Sequence, residues 1–172
     1  MWLLKTLNCE RSLYIQFGLL KRVYKSFSND RDVVLWSFQR TYRIEEYFFN
    51  KKNDNKLFWI PYVLFRRSKN KKGLKLGIDI GENVFDRGLF FAHSGSIIVG
   101  NAKVGKNCIL HGDNTISSGA VMGDNCELWV GARVMDKARL MDKTIVGGGA
   151  VVVSCFVESG ITIAGIPARK IS

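Results

Sequence analysis

In the second half of the chain every sixth residue is aliphatic: Ile98, Val104, Leu110, Ile116, Met122, Leu128, Val134, Leu140, Val146 and Val152. Two positions before each stands a small residue: Ser96, Ala102, Cys108, Asn114, Ala120, Cys126, Ala132, Ala138, Thr144 and Ala150. A period of six preserves the alternation of a strand and is incompatible with a 3.6-residue helix. A large and a small residue on one inward face predict a short strand and a tight corner, with the small residue where the walls of a narrow prism converge. Glycine follows the aliphatic at Gly105, Gly123 and Gly147, which suits corners of unusual dihedral angle. Residues 98–115, 116–133 and 134–151 then form three coils stacked through parallel ladders about 4.8 Å apart. A less regular coil precedes them, from Ile78 through Val84 to Phe90.

The first part of the chain follows a different rule. Leu13, Phe17, Leu20, Tyr24 and Phe27 step by three or four residues, as do Leu35, Phe38 and Tyr42, which predicts two helices, the second capped by Asn29 or Asp30. A third short segment, Leu57 to Phe65, contains Pro61 and leads into the basic run Arg66-Arg67-Ser68-Lys69-Asn70-Lys71-Lys72.

Charge divides the chain at the same place. Residues 1–76 hold 17 of the 26 Lys and Arg and 6 of the 15 Asp and Glu, so the whole net charge of +11 resides there. Fifteen of the 20 aromatic residues also precede residue 77. The chain reads as a basic, aromatic helical segment, 1–73, joined near Gly73–Gly77 to a repeat domain, 74–172. No apolar run approaches a membrane span, and Met1–Lys5 does not begin a secretory signal. A cytoplasmic protein is expected. The four cysteines (Cys9, Cys108, Cys126, Cys155) lack metal-ligand spacing. Cys108 and Cys126 lie one coil apart, within disulfide range, although two reduced, buried thiols are the simpler account.

The repeat breaks between Phe90 and Ile98, a step of eight residues that contains His93. Two extra residues force a bulge at a corner, and bulges re-aim side chains at functional sites. His111 follows His93 by one coil length. If the bulge precedes His93, the two histidines stack on one edge; if it follows, they are offset by two residues. A zinc site of three histidines needs one more than this chain has, so no metal is expected.

The array, the segment Arg87-Gly88-Leu89-Phe90-Phe91-Ala92-His93-Ser94-Gly95-Ser96-Ile97-Ile98-Val99 and the closing Ala164-Gly165-Ile166-Pro167-Ala168-Arg169 resemble the hexapeptide-repeat acyltransferases. Serine acetyltransferases and the O-acetyltransferases of polysaccharide biosynthesis are the nearest members. The likeness covers roughly residues 74–171. It implies a left-handed parallel β-helix with an α-helical N-terminal segment, assembled as a homotrimer, with acetyl-CoA as co-substrate. It implies that His93 is the catalytic base, for which an imidazole is suited near neutral pH. Asp79 would orient His93 if the first coil is one residue shorter than in the family; otherwise it caps the prism. His111 would bind acceptor or simply face solvent. Matching motif to motif puts Ala132, Gly148, Val153 and Ser154 beside the coenzyme A groove, with Arg169 and Lys170 near its phosphates.

Three departures bear on the acceptor. Ala92 stands where serine acetyltransferases have Asp before the histidine. No extended arm with an Arg-His pair interrupts Ile116 to Met122. The sequence ends at Lys170-Ile171-Ser172 without the tail those enzymes use toward cysteine synthase. A sugar or glycan-precursor hydroxyl is therefore expected as acceptor, ahead of free serine, and a non-catalytic scaffold at a membrane surface is the third reading. The basic segment is read as a helical cap over the first coil that also packs in the trimer. A sharper reading adds contact with an anionic membrane surface, peripheral to its inner face. Nucleic acid is not expected, since no recognition module accompanies the charge.

Overall fold

The computed structural model describes residues 1–16, 24–25, 27–28 and 30–172. It divides into two compact units, Met1–Lys75 and Leu76–Ser172.

The first unit is helical. Helix α1 spans Trp2–Tyr14, α2 spans Arg31–Lys51, and a 3-10 turn, Lys56–Phe58, leads into α3, Trp59–Leu76. Asp30 caps α2 by accepting a hydrogen bond from the Asp32 amide. Leu35, Phe38 and Tyr42 form the buried face of α2, as their spacing predicts. Helix α1 lies ahead of the first expected helix and holds only Leu13 of its five positions. Leu13 is exposed, as are Tyr24 and Phe27, while Phe17 and Leu20 lie outside the described residues. The buried side of α1 is Thr6, Glu10 and Tyr14.

The reason is Arg43, a guanidinium buried on α2 that needs carboxylates. Glu10 meets it at 2.7 Å and Glu46 at 2.9 Å. Burial alone would lower the Arg43 pKa, but Tyr42, Glu10 and Glu46 outweigh it and the net shift is upward. Helix α3 is longer than the short segment the sequence suggests. Pro61 falls in its first turn, where no amide is required, and the basic run continues the helix. Lys69 pairs with Glu45 at 3.7 Å, and Lys72 donates to Ser37 and Thr41.

The second unit is a mainly β solenoid of hexapeptide coils with three walls, a left-handed parallel β-helix as expected. The first wall holds β1 (Ile78–Ile80), β3 (Ile97–Val99), β6 (Thr115–Ile116), β9 (Arg133–Val134) and β12 (Val151–Val152). The second holds β4 (Lys103–Val104), β7 (Val121–Met122) and β10 (Arg139–Leu140). The third holds β2 (Phe90–Phe91), β5 (Ile109–Leu110), β8 (Glu127–Leu128), β11 (Ile145–Val146), β13 (Thr162–Ala164) and β14 (Arg169–Lys170). Every pairing is parallel except β13 with β14.

From Val104 onward all nine aliphatic positions and the nine small ones before them are buried. The register fails before that. Ile98 is 51% exposed, and Ile97 and Val99 point inward instead. Val99 aligns with Ile116, Phe91 with Leu110 and Phe85 with Val104. The inward series is thus Ile80, Phe85, Phe91, Val99, Val104, with steps of five, six, eight and five residues. The eight-residue step is real, but two shortened corners accompany it, so it is not the sole irregularity.

The corner glycines also act differently from the expectation. Gly105 and Gly123 have ordinary φ; what they lack is room, since an added Cβ at Gly123 would stand 2.2 Å from Asp142 Oδ1. Positive φ falls two residues later, at Asn107, Asn125 and Lys143. Cys108 and Cys126 are free thiols buried beneath these corners.

Candidate active site

The edge where the third wall turns into the first carries both histidines. Its coils are aligned by backbone bonds: Ala92 donates to Leu110, His111 to Leu128, Trp129 to Val146, and Gly147 to Ile163. Ala92, His111, Trp129 and Gly147 therefore form one file along the edge. His93 belongs to the next file, with its Cβ 3.5 Å from where a Cβ on Gly112 would stand. The two histidines are offset by one residue, an arrangement that differs from both sequence alternatives. The cause is the 19-residue spacing of the first coils: Phe91 aligns with Leu110, and only later coils settle at 18.

The loop bearing His93 is held from both sides. Ser96 donates its amide to Asp113 Oδ1 at 2.9 Å. Gly95 donates to Leu76, and Ile97 to Gly77. Gly95 has φ of +143°, a conformation only glycine adopts readily. The His93 side chain is exposed at the tip. Asp79 lies on the outward face of β1, in register with Ile98.

His111 is held by two neighbours. Its Nε2 lies 2.7 Å from Glu127 Oε1, and its ring stacks on Trp129 with centroids 5.1 Å apart and planes inclined by 19°. Beneath it the buried Asn114 accepts from the Gly112 amide and donates to the Trp129 carbonyl, joining two successive corners. Neither Glu127 nor Trp129 was singled out from sequence. The signal was available, since Trp129 follows His111 by one coil.

Beyond Trp129 the edge loses its side chains at Gly131, Gly147, Gly148 and Gly149. A Cβ on Gly149 would meet nothing within 4 Å, so this is open shelf. Gly148 is exposed there, whereas Val153 and Ser154 are exposed at the next edge, where the first wall turns into the second. The Ala132 side chain faces the core, its amide donates to the Trp129 carbonyl and its carbonyl accepts from Thr115. Arg169 is exposed and pairs in register with Ala164, beside the far end of the edge. Lys170 contacts Glu158. An exposed backbone shelf ending at a guanidinium offers backbone amides and a fixed positive charge to an extended anionic ligand. Among the described residues no group of His, Cys, Asp and Glu is gathered as a metal site.

No protein-family model and no curated protein sequence matches the chain. Its fold is nevertheless that of solved hexapeptide-repeat serine acetyltransferases. The enzyme of Brucella melitensis superposes with a TM-score of 0.69 at 16% identity, over 98% of this chain and 67% of that one. The enzyme of Neisseria gonorrhoeae gives 0.60 at 18%, again over 98% and 67%. A serine acetyltransferase in complex with CoA gives 0.59 at 20%, over 80% of this chain and 57% of that one. The chain thus spans little more than half of the CoA-bound enzyme's length.

Proposed function

We propose that the chain is an acetyl-CoA-dependent O-acetyltransferase that acetylates a hydroxyl of a sugar or glycan precursor. The observation that carries this reading is the composition of one edge: it begins with an exposed histidine on an eight-residue corner and ends in exposed glycines beside Arg169. A fold shared with a serine acetyltransferase solved with CoA supports the choice of donor.

In this mechanism Arg169 pairs with coenzyme A phosphate, assisted by Lys170, and the backbone around Gly148 guides the pantetheine, with Val153 and Ser154 reached only where the arm passes to the next edge. The acceptor oxygen attacks the thioester carbonyl while His93 takes the hydroxyl proton. The new C–O bond forms, the C–S bond breaks, and the proton passes from His93 to the departing thiolate. The imidazole is suited to both transfers. A sugar is favoured over serine because Ala92 replaces the acidic neighbour and only four residues, 117–120, connect β6 to β7, leaving no arm. Thiol release from acetyl-CoA, compared between methyl glycosides and free serine, tests this. Serine used as efficiently as any saccharide would reverse the ranking, and no CoA binding at all would favour a scaffold.

One prism offers a shelf but no opposite wall, so the reading includes a homotrimer in which a neighbour closes the groove. Light scattering should give about three times the 19.4 kDa chain mass. The first unit adds a second reading of partners. Leu57, Trp59, Ile60 and Leu64 are exposed beside exposed Arg66, Arg67, Lys71 and Lys75, a composition suited to an anionic membrane surface. Binding to anionic vesicles that weakens with salt is the expected outcome. Among the described residues no helix is long and apolar enough to cross a membrane.

A further inference from the structure

We propose that His111, Glu127 and Trp129 form a saccharide-binding platform in which Glu127 and Trp129 are positioning residues for His111. The proposal deepens the acetyltransferase reading and rests on it for the class of ligand. Two perpendicular constraints act on one imidazole. The hydrogen bond to Glu127 acts in the ring plane, and the stack on Trp129 fixes the tilt of that plane. A structural filler would need only one of them.

The hydrogen bond also selects a tautomer. A carboxylate oxygen accepts, so the hydrogen at the 2.7 Å contact sits on Nε2 of His111. Nδ1 of the neutral ring is then bare and can only accept. The imidazole thereby presents an acceptor to a hydrogen-bond donor, such as a sugar hydroxyl. Trp129 supplies the second half of the recognition. One face of the indole is covered by His111, and Trp129 as a whole remains 49% exposed. The next residue in the file is Gly147, which has no side chain to fill the space beyond. An indole with an open flank beside a polar acceptor is suited to the apolar face of a pyranose and one of its hydroxyls. Trp129 is the sole tryptophan of residues 76–172, so its indole can be observed by itself within that unit.

The experiment has two arms on the full-length protein. In the first, 15N NMR of the histidine ring and the tryptophan indole is recorded without substrates and then with methyl glycosides of glucose, galactose, mannose and N-acetylglucosamine. The expected result is the Nε2–H tautomer at His111, its loss in Glu127→Ala, and a shift of the Trp129 indole with at least one glycoside. A His111 ring protonated on Nδ1 alone, or an indole unmoved by every glycoside, overturns the platform.

In the second arm, thiol release is measured with whichever glycoside supports it. Glu127→Ala and Trp129→Leu should raise acceptor KM about tenfold or more with kcat held within a few-fold, the pattern of lost uniform binding. Glu127→Gln, whose amide oxygen still accepts from Nε2, should recover most of the loss. A fall in kcat at constant KM, or no rescue by glutamine, overturns the positioning role. Absence of thiol release from the wild-type protein with every acceptor defeats the acetyltransferase reading instead, and the first arm still decides the platform.

Discussion

Two edges of the same prism use their polar residues in opposite ways. At the edge between the second and third walls, side chains are consumed by the stack. Asp124 Oδ1 accepts from the Lys106 amide at 2.8 Å, Asp142 Oδ1 accepts from the Asp124 amide at 2.8 Å, and Asn107 donates to Asn125 at 3.0 Å. Corner after corner repeats at 18 residues with an αL residue at the same place, Asn107, Asn125 and Lys143. The histidine edge begins with an oversized corner and ends in bare glycine. Its imidazole, indole and carboxylate side chains contact one another while remaining partly open to solvent. A polar group that closes the backbone ladder stabilises the fold; one left partly exposed on a rigid frame is available to a ligand.

The largest expected effect separates the edges by activity. His93→Ala should lower turnover by about a hundred- to ten-thousandfold, the usual range for removing a general base, which corresponds to roughly 3–5 kcal/mol of barrier. Coenzyme A affinity should hardly change, because the shelf and Arg169 are untouched. His111→Ala should cost less and act mostly on acceptor KM. Steady-state kinetics of both variants with one acceptor checks this. A dead His111→Ala beside a normal His93→Ala would move the base to the other coil.

The next effect belongs to the ladder edge. Gly123→Ala forces a Cβ to within 2.2 Å of Asp142 Oδ1 and 2.7 Å of the Asp142 amide. Overpacking of this kind costs about 1–3 kcal/mol. Thermal denaturation should register the loss, while kcat per folded molecule stays at the wild-type value. A stable but inactive Gly123→Ala would contradict the division of labour between edges.

How far the sequence reaches follows the same division. Regular coils are legible because each buried position repeats the same packing problem, and every aliphatic from Val104 to Val152 solves it. The head of the solenoid is not, because Phe90-Phe91 and Ile97-Ile98-Val99 are runs of large apolar residues. Any member of such a run satisfies a period count, and only the backbone pairing shows that Phe91, Ile97 and Val99 face inward. Shortened and lengthened corners nearly cancel there, which hides the slip. The same slip decides which residue stands beside His93. Trp129 was recoverable by adding 18 to His111, but Glu127 was not, since its contact depends on a side chain reaching diagonally across coils. In the helical unit, apolar spacing finds the face of α2; the first expected helix, from Leu13 to Phe27, lies largely outside the described residues, and in α1, which no apolar spacing marks, a buried arginine selects the inward side.

Thiol chemistry offers a smaller test of how closed the ladder edge is. Burial pushes the Cys108 thiol well above its ordinary value of 9.0 and raises Cys126 as well. Both should stay protonated and resist alkylation at pH 8 in the folded protein, whereas the exposed Cys155 should label readily. The sign for stability follows. Below pH 9 the thiols are protonated in both states and contribute nothing to pH dependence. Above it the unfolded chain's thiols ionise while the folded ones do not, so stability falls by about 1.4 kcal/mol per pH unit for a fully protected thiol. Mass spectrometry after timed alkylation, and denaturation at pH 8 and 10, check both halves.

The smallest effect on folding should come from Gly149, and it sharpens the comparison most. Gly149 has φ of +66° and open space around its Cα, whereas Gly123 has an ordinary φ and no space. Alanine at Gly149 therefore costs only the αL penalty, about 1 kcal/mol. Asparagine, which adopts αL readily and already does so at Asn107 and Asn125, should be near neutral for stability at Gly149. The same asparagine at Gly123 should be worse than alanine, because a longer side chain meets the same backbone. Under the proposed function Gly149→Asn has a second consequence. It places a side chain on the shelf, so acetyl-CoA KM should rise while the melting temperature and acceptor KM stay close to wild type. An asparagine at 149 that leaves acetyl-CoA KM unchanged would mean that the cofactor follows another edge of the prism.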